Sequence, residues 1–318
     1  MQRLLIIGCG DVALRTIPLL TAHYQVFALI RNPAHAQTLR SMGVMPVLGD
    51  LDTRHSLQKL AGLADIVLHF APPPVNQTPR RLPLRPLGEG WGEGGLAGES
   101  WRGGRDTENR DTRTQNLLAA LARGRLPTQL IYISTSGVYG DCAGEWVSET
   151  TPINATNPRA LRRVDAEQQV RAWARRNQVR ASILRVPGIY AHDRLPVDRL
   201  RAGTPAIRRE EDSYSNHIHA DDLARIAMAT LRYGAANRVY HTTDDDEMKM
   251  GDYFDAVADA YHLARPPRLP RTEVKNLVSP MLWSFMNESR RLSNQRMKQE
   301  LKIRLRYPML SDVLVGKL

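Results

Sequence analysis

Cysteine is nearly absent from this chain: 318 residues contain two, Cys9 and Cys142. They form no Cys-x-x-Cys pair, which removes the simplest redox and zinc motifs, and both read as reduced thiols of a protein expected in the cytoplasm. Aromatic residues make up only 6% of the chain. No apolar run approaches the roughly 20 residues that span a bilayer. Residues 1–7 are too short, and too soon followed by glycine, to be expected to act as a signal peptide. The histidines form no ligand constellation, so no metal site is expected. Acids are also scarce: 33 Asp and Glu face 44 Lys and Arg, a net charge of +11. That excess is mostly arginine scattered over helical segments, among them Arg123, Arg125, Arg171, Arg175 and Arg176. No nucleic-acid-reading motif accompanies it. A basic surface around an anionic nucleotide or substrate explains it as well, so nucleic acid is not the expected partner.

What is present is enough apolar material, 42% of residues, for one large α/β domain with or without a smaller lobe. The chain begins with an apolar run, Leu4-Leu5-Ile6-Ile7, that stops at Gly8-Cys9-Gly10-Asp11-Val12-Ala13. This is a G-x-G-x-x-A turn between a strand and a helix, a form of the dinucleotide-binding fingerprint. Gly8 allows a sharp exit from the strand. Gly10 lets the backbone approach a pyrophosphate, and Ala13 lets the helix pack close to the sheet while its free N–H groups face the phosphates.

The second strand, Gln25 to Ile30, ends at Arg31-Asn32-Pro33 with no acid beside it. NAD-selective sites usually place a carboxylate there for the ribose 2′-hydroxyl, whereas a guanidinium suits a 2′-phosphate. Arg31 therefore points to NADP(H), with NAD as the alternative. Helices are expected over Ala34–Met42 and from Ser56, with a short strand at Met45–Leu48. Asp50 is placed to accept from an adenine amino group or to cap the next helix, and the spacing leaves both open. Ile66 to Ala71 is a near-continuous apolar run, as in a parallel strand buried on both faces, ending at Pro72-Pro73-Pro74. Residues 78–110, rich in Gly, Pro and Arg, carry no period and are expected to be a flexible insertion, with Trp91 and Trp101 as its apolar anchors. Helices over 112–123 and 159–177 and strands over 129–133, 181–186 and 238–241 sustain the alternation of a doubly wound parallel sheet. After Asp244-Asp245-Asp246-Glu247 the chain should be mainly helical, with Leu277, Met281, Leu282 and Phe285 packing on a substrate lobe.

Five stretches in order resemble the extended and atypical short-chain dehydrogenase/reductases, the NAD(P)-dependent epimerase/dehydratase group. They are Gly8–Ala13, Gly49-Asp50-Leu51, Ser134-Thr135-Ser136-Gly137-Val138-Tyr139-Gly140, Arg185-Val186-Pro187-Gly188-Ile189-Tyr190, and Asn216-His217-Ile218-His219-Ala220-Asp221-Asp222. The resemblance implies a Rossmann-type α/β fold. Residues 1–186 would form the cofactor domain and 187–318 a small, mostly helical lobe, with 216–243 returning to the sheet. It implies that Thr135 bonds the substrate oxygen. The family's Tyr-x-x-x-Lys pair falls, by register, on Arg159 and Arg163. Arginine stays protonated and exchanges no proton, so Arg159 cannot replace the phenol, while Arg163 could still contact a ribose or an anionic substrate. The expected catalytic set is Thr135, Tyr139 and Arg163. The expected cofactor set is Gly8, Gly10, Asp11, Ala13, Arg31, Asp50, Ala71 and Arg163. The reading is an oxidoreductase or epimerase-like protein for a small carbonyl or sugar-like compound, with a non-catalytic NADP(H) sensor or scaffold as its rival. A homodimer is compatible with it.

Overall fold

The computed structural model describes residues 1–74 and 109–314. The insertion expected over 78–110, with Trp91 and Trp101, lies outside the described residues apart from positions 109 and 110. Seven strands form the central sheet: β1 (Arg3–Ile7), β2 (Gln25–Ile30), β3 (Met45–Leu48), β4 (Ile66–His69), β5 (Gln129–Thr135), β6 (Arg180–Val186) and β7 (Arg238–His241). Every pairing is parallel, in the spatial order β7-β6-β5-β4-β1-β2-β3. Leu4 to Ile7 are fully buried on both faces, which is why this strand carries no alternation of apolar and polar residues. Strand order reverses between β1 and β4, where Ile7 lies opposite His69. In doubly wound sheets the ligand crevice opens at such a point, outside the carboxyl ends of the strands.

Helices cover both faces. On one, α1 (Asp11–Thr21) buries Ala13, Ile17 and Leu20 beside Ile226 and Leu231 of a later helix. On the other, α3 (Thr112–Leu121) and α4 (Pro158–Asn177) bury Leu117, Leu121, Val170 and Trp173. Between β2 and β3 lies α2 (Ala36–Ser41), preceded by a 3-10 turn at Pro33–His35 that the Asn32 side chain caps. The segment Arg54–Leu60 is also 3-10 rather than the α-helix expected from Ser56.

After β6 the chain forms α5 (Val197–Arg201), α6 (Ala220–Tyr233), α7 (Met250–Ala260), α8 (Arg271–Leu277), α9 (Pro280–Met286), α10 (Gln295–Glu300) and α11 (Ser311–Leu314). A smaller core gathers Tyr190, Leu200, Phe254, Val257, Leu310 and Val313. The apolar set expected to pack as one helix is corrected here. Pro280 starts a new helix at its first position, as proline does, and Leu277, Met281 and Phe285 are 63%, 70% and 44% exposed while Val274 and Met286 turn inward. The C-terminal segment folds back twice. Arg291–Leu292 pairs with Trp146–Val147, and the fully buried Asp222 carboxylate accepts the N–H groups of Arg306 and Tyr307 at 2.8–2.9 Å.

Candidate active site and cofactor cleft

Two clefts open along the carboxyl edge of the sheet. The larger, about 620 Å³, is lined by Gly8, Cys9, Arg31, Asn32, Asp50, Ala71 and Arg113, with Ile7, Leu29 and Leu51 beneath them. Gly8 has φ +95°, a backbone conformation that glycine alone adopts freely, and its missing side chain would meet the backbone of Phe70 and Ala71. Gly10 differs. It is the N-cap residue of α1, extended at φ −85°, and a Cβ built there meets nothing within 4 Å. Its open side is the kind of space a phosphate chain occupies against a helix N-terminus. Ala13 is buried in the core between α1 and the sheet.

At the far end, Arg31 is exposed at the tip of β2 and lines the cleft. Asp50 lines it too, with Oδ1 accepting from the Asp52 N–H at 3.0 Å. Its carboxylate thus takes part in a local turn rather than capping the 3-10 segment that begins at Arg54. Arg113 grips Asp52 through two hydrogen bonds, and its guanidinium, with Arg31 further off, holds that carboxyl below the usual range. Asp11 does not face the cleft as expected. Both its oxygens are engaged, by Arg15 at 3.0 Å and Arg194 at 2.8 Å, since an acid at the first turn is satisfied most easily by nearby guanidinium groups. The Cys9 thiol is pushed up to about 11 by burial and is therefore not a nucleophile.

The second cleft, about 210 Å³, lies where β5 meets the start of α4. Its wall includes Thr135, Gly137, Arg159, His217, Phe285, Glu288 and Arg290. Thr135 ends β5, half-buried, and its Oγ1 accepts the Gly137 N–H at 3.2 Å, which leaves the hydroxyl proton available for another acceptor. Arg159 stands over the Phe285 ring, 3.9 Å from its centre. Burial lowers its pKa and Glu288 opposes the shift. Glu288 and Arg290 form an ion pair at 2.8 Å. His217 stacks on Tyr253 at 4.2 Å, and its Nε2 lies 3.1 Å from Ser215 Oγ. Burial pushes its pKa down to about 4, so the ring is neutral near pH 7. In the sequence His217 stood out only as part of the Asn216–Asp222 stretch. Its place on this wall comes from the pairing of His217 with Gly188, which sets both beside Thr135 on one cleft.

Two expected catalytic residues lie elsewhere. Tyr139 is 1% exposed. Its hydroxyl sits between Arg185 Nη1 and His241 Nε2, each at 2.6 Å, and donation to the Ser148 carbonyl at 3.1 Å is its other option. Burial pushes that phenol up to about 12. The cause is a buried network that the sequence reading missed: Glu167 bonds Ser134 and pairs bidentately with Arg185, which holds Tyr139, which meets His241. An arginine inside the apolar strand Ala181-Ser182-Ile183-Leu184-Arg185-Val186 was its one sequence signal, because a buried guanidinium requires an acid. Arg163 lines neither cleft. Its Nη1 donates to Tyr132 Oη at 3.0 Å and to the Ile133 carbonyl at 2.7 Å, bracing β5 from below. His69, also unforeseen, is fully enclosed beside Thr114 and pushed down to about 3 by burial. Among the described residues no group of three or more His, Cys, Asp or Glu could hold a metal ion, and no helix is long and apolar enough to cross a membrane.

Comparison with known proteins bears out the resemblance seen in the sequence. Residues 95–242 match the model of the NAD dependent epimerase/dehydratase family. A curated relative, the dTDP-glucose 4,6-dehydratase of Mycolicibacterium smegmatis, is 30% identical over 138 residues, 40% of this chain and 41% of its own length. The chain thus matches about two-fifths of that relative. Among solved structures, a functionally unknown conserved protein from Silicibacter pomeroyi is 26% identical at TM-score 0.73, covering 99% of this chain and 97% of its own. DesIV, a dTDP-glucose 4,6-dehydratase from Streptomyces venezuelae solved with NAD and TYD, shares the fold at TM-score 0.72 and 19% identity, over 98% and 94% of the two chains.

Proposed function

We propose that this chain, matched by the NAD dependent epimerase/dehydratase family and carrying its fold, binds NADP(H) and acts on a small carbonyl or sugar-like compound. The observation that carries the cofactor half is the contrast at the glycine turn. Gly8 is closed in by the neighbouring backbone, while the helix-capping Gly10, next in sequence to the cleft-lining Cys9, has open space where a side chain would stand. Gly8, Gly10 and the α1 N-terminus would hold the pyrophosphate, Ala13 letting the helix sit close enough to do so. Asp50 and the Leu29 and Leu51 side chains would take the adenine end, with Ala71 flooring the turn. Arg31, on the lip and in no ion pair among the described residues, would take a 2′-phosphate.

A bound nicotinamide supplies hydride transfer; the chain supplies position and protons. Thr135 accepts from the Gly137 N–H, so its own proton would be free to bond a substrate oxygen. His217, held neutral by burial on the same wall, can share a hydrogen bond with a substrate oxygen but is a weak base near pH 7. Arg163 acts as a positioning residue by fixing the end of β5. A non-catalytic sensor or scaffold is the second reading, favoured by one observation: the position of the family's phenol holds Arg159, which cannot exchange a proton.

The test is a fluorescence titration with NADPH and NADH in parallel, followed by loss of reduced-nicotinamide absorbance against a panel of small ketones and aldehydes. NADPH-preferring binding with turnover supports the enzyme, and binding without turnover on any panel member supports the sensor. Binding of neither nucleotide overturns both.

A further inference from the structure

The three charged side chains on the wall of the Thr135 cleft are not equally satisfied. Glu288 and Arg290 neutralise each other at 2.8 Å, and the second Glu288 oxygen accepts from Asn157 Nδ2 at 3.0 Å. Arg290 also donates to the Gly140 carbonyl. Arg159 is exposed on the cleft wall with the face of Phe285 beneath it; the Glu288 charge acts on it at longer range, but among the described residues no carboxylate forms an ion pair with it. It shares the cleft with Thr135, and Gly137 stands between the end of β5 and the first turn of α4. A Cβ on Gly137 would lie 3.5 Å from Thr135 Oγ1 and 3.9 Å from the Ala160 Cβ, next in sequence to Arg159.

We propose that Arg159 and Thr135 form a subsite for a small carbonyl compound that carries a carboxylate near its reacting carbon. Arg159 receives the carboxylate and Thr135 the carbonyl oxygen. This rests on taking the Thr135 cleft as the substrate site. A guanidinium presents a planar fork of donors, and a carboxylate is the small group that matches it with two parallel hydrogen bonds. Stacking on Phe285 leaves the edge of that fork free, because a ring beneath covers only its face. A neutral, hydroxyl-rich ligand would leave the charge desolvated and unpaired, which disfavours it. The volume agrees: about 210 Å³ is small for a ligand cleft. The residue that removes the usual proton donor therefore supplies a charge that selects an acid.

The experiment is calorimetric titration of the whole protein, alone and saturated with NADP+, using pyruvate, acetoacetate and phenylpyruvate and the methyl ester of each. Wild type should bind at least one acid, with its ester roughly ten- to hundred-fold weaker, the loss expected for one charge-assisted pair. Arg159→Gln should weaken that acid by a similar factor, leave the ester unchanged and leave NADP+ affinity unchanged. Arg159→Lys should fall between, since an ammonium offers charge without the fork. Thr135→Val should weaken acid and ester alike. Equal affinity for acid and ester overturns the proposal, as does undiminished binding of the acid by Arg159→Gln. Failure of all three acids to bind overturns it too. If NADP+ fails to bind while the acid–ester contrast holds in the protein alone, the cofactor reading falls and the subsite stands.

Discussion

The side chain that Gly8 lacks would stand 2.7 Å from the Cα of Ala71, across the point where the order of the sheet reverses. Two strands thus approach as closely as backbones allow at the mouth of the cleft. This separates the roles of two glycines that a motif search treats alike.

Gly8→Ala should cost about 2–4 kcal/mol of stability, from its positive φ and from overpacking against backbone that cannot yield. Gly10→Val should cost about 1 kcal/mol or less, since its side chain enters open space, yet should abolish NADPH binding. Urea unfolding and nucleotide titration on the same samples read both, and a Gly10→Val protein that binds NADPH as wild type does would remove the phosphates from this turn.

Arg31→Asp should weaken NADPH by roughly ten- to hundred-fold, the loss of a charge-assisted pair compounded by repulsion, and change NADH little. Equal losses for both nucleotides would assign Arg31 a role unrelated to the 2′-phosphate.

The buried pair of Glu167 and Arg185, each about 5% exposed, should tolerate the loss of both charges better than the loss of one. Glu167→Gln should cost about 3–5 kcal/mol because the guanidinium is left enclosed without its counter-charge, and Glu167→Leu with Arg185→Met should cost less. A double variant weaker than the single would show that the pair stabilises the fold beyond satisfying itself.

His241 gives the chain an acid-side weakness. Its ring is fully buried, and burial, aided by Arg185 and Arg296, pushes the pKa down to about 3, against about 6.5 in the unfolded chain. The folded pKa is the lower, so this contribution is complete above about 6.5 and declines as pH falls toward 3. At about pH 4.5 some 2–3 kcal/mol of it should be gone. Asp111, Asp212 and Asp244, whose pKa values burial raises, act in the opposite sense, so the readout is a difference. The cost of His241→Gln in urea unfolding should shrink by that amount between pH 7 and 4.5, and a constant cost would show that the imidazole does not titrate as argued.

The parallel sheet was legible because its strands are continuous apolar runs that need no partner to be recognised, and the glycine turn because its physics is local. Thr135, Arg31 and Asp50 were legible as residues at strand ends, where this architecture opens its crevice. Tyr139 and Arg163 misled for one reason: both lie at motif positions, and what occupies them are Arg185 and His241, and Tyr132 and Ile133, none adjacent in sequence. Glu288 and Arg290 carry no pattern at all. They reach the cleft only because the last part of the chain doubles back along Trp146–Val147. Leu277, Met281 and Phe285 had helical spacing but the wrong face, which Pro280 reset.

That doubling back has a consequence for synthesis. Arg291–Leu292 closes against Trp146–Val147, and the Arg306 and Tyr307 amides close on Asp222. All seven strands of the sheet and the nucleotide cleft are complete in the growing chain before those segments exist. The emerging protein should therefore acquire its nucleotide-binding half first, as N-terminal units do during translation, while the second cleft lacks a wall until its last partners leave the ribosome.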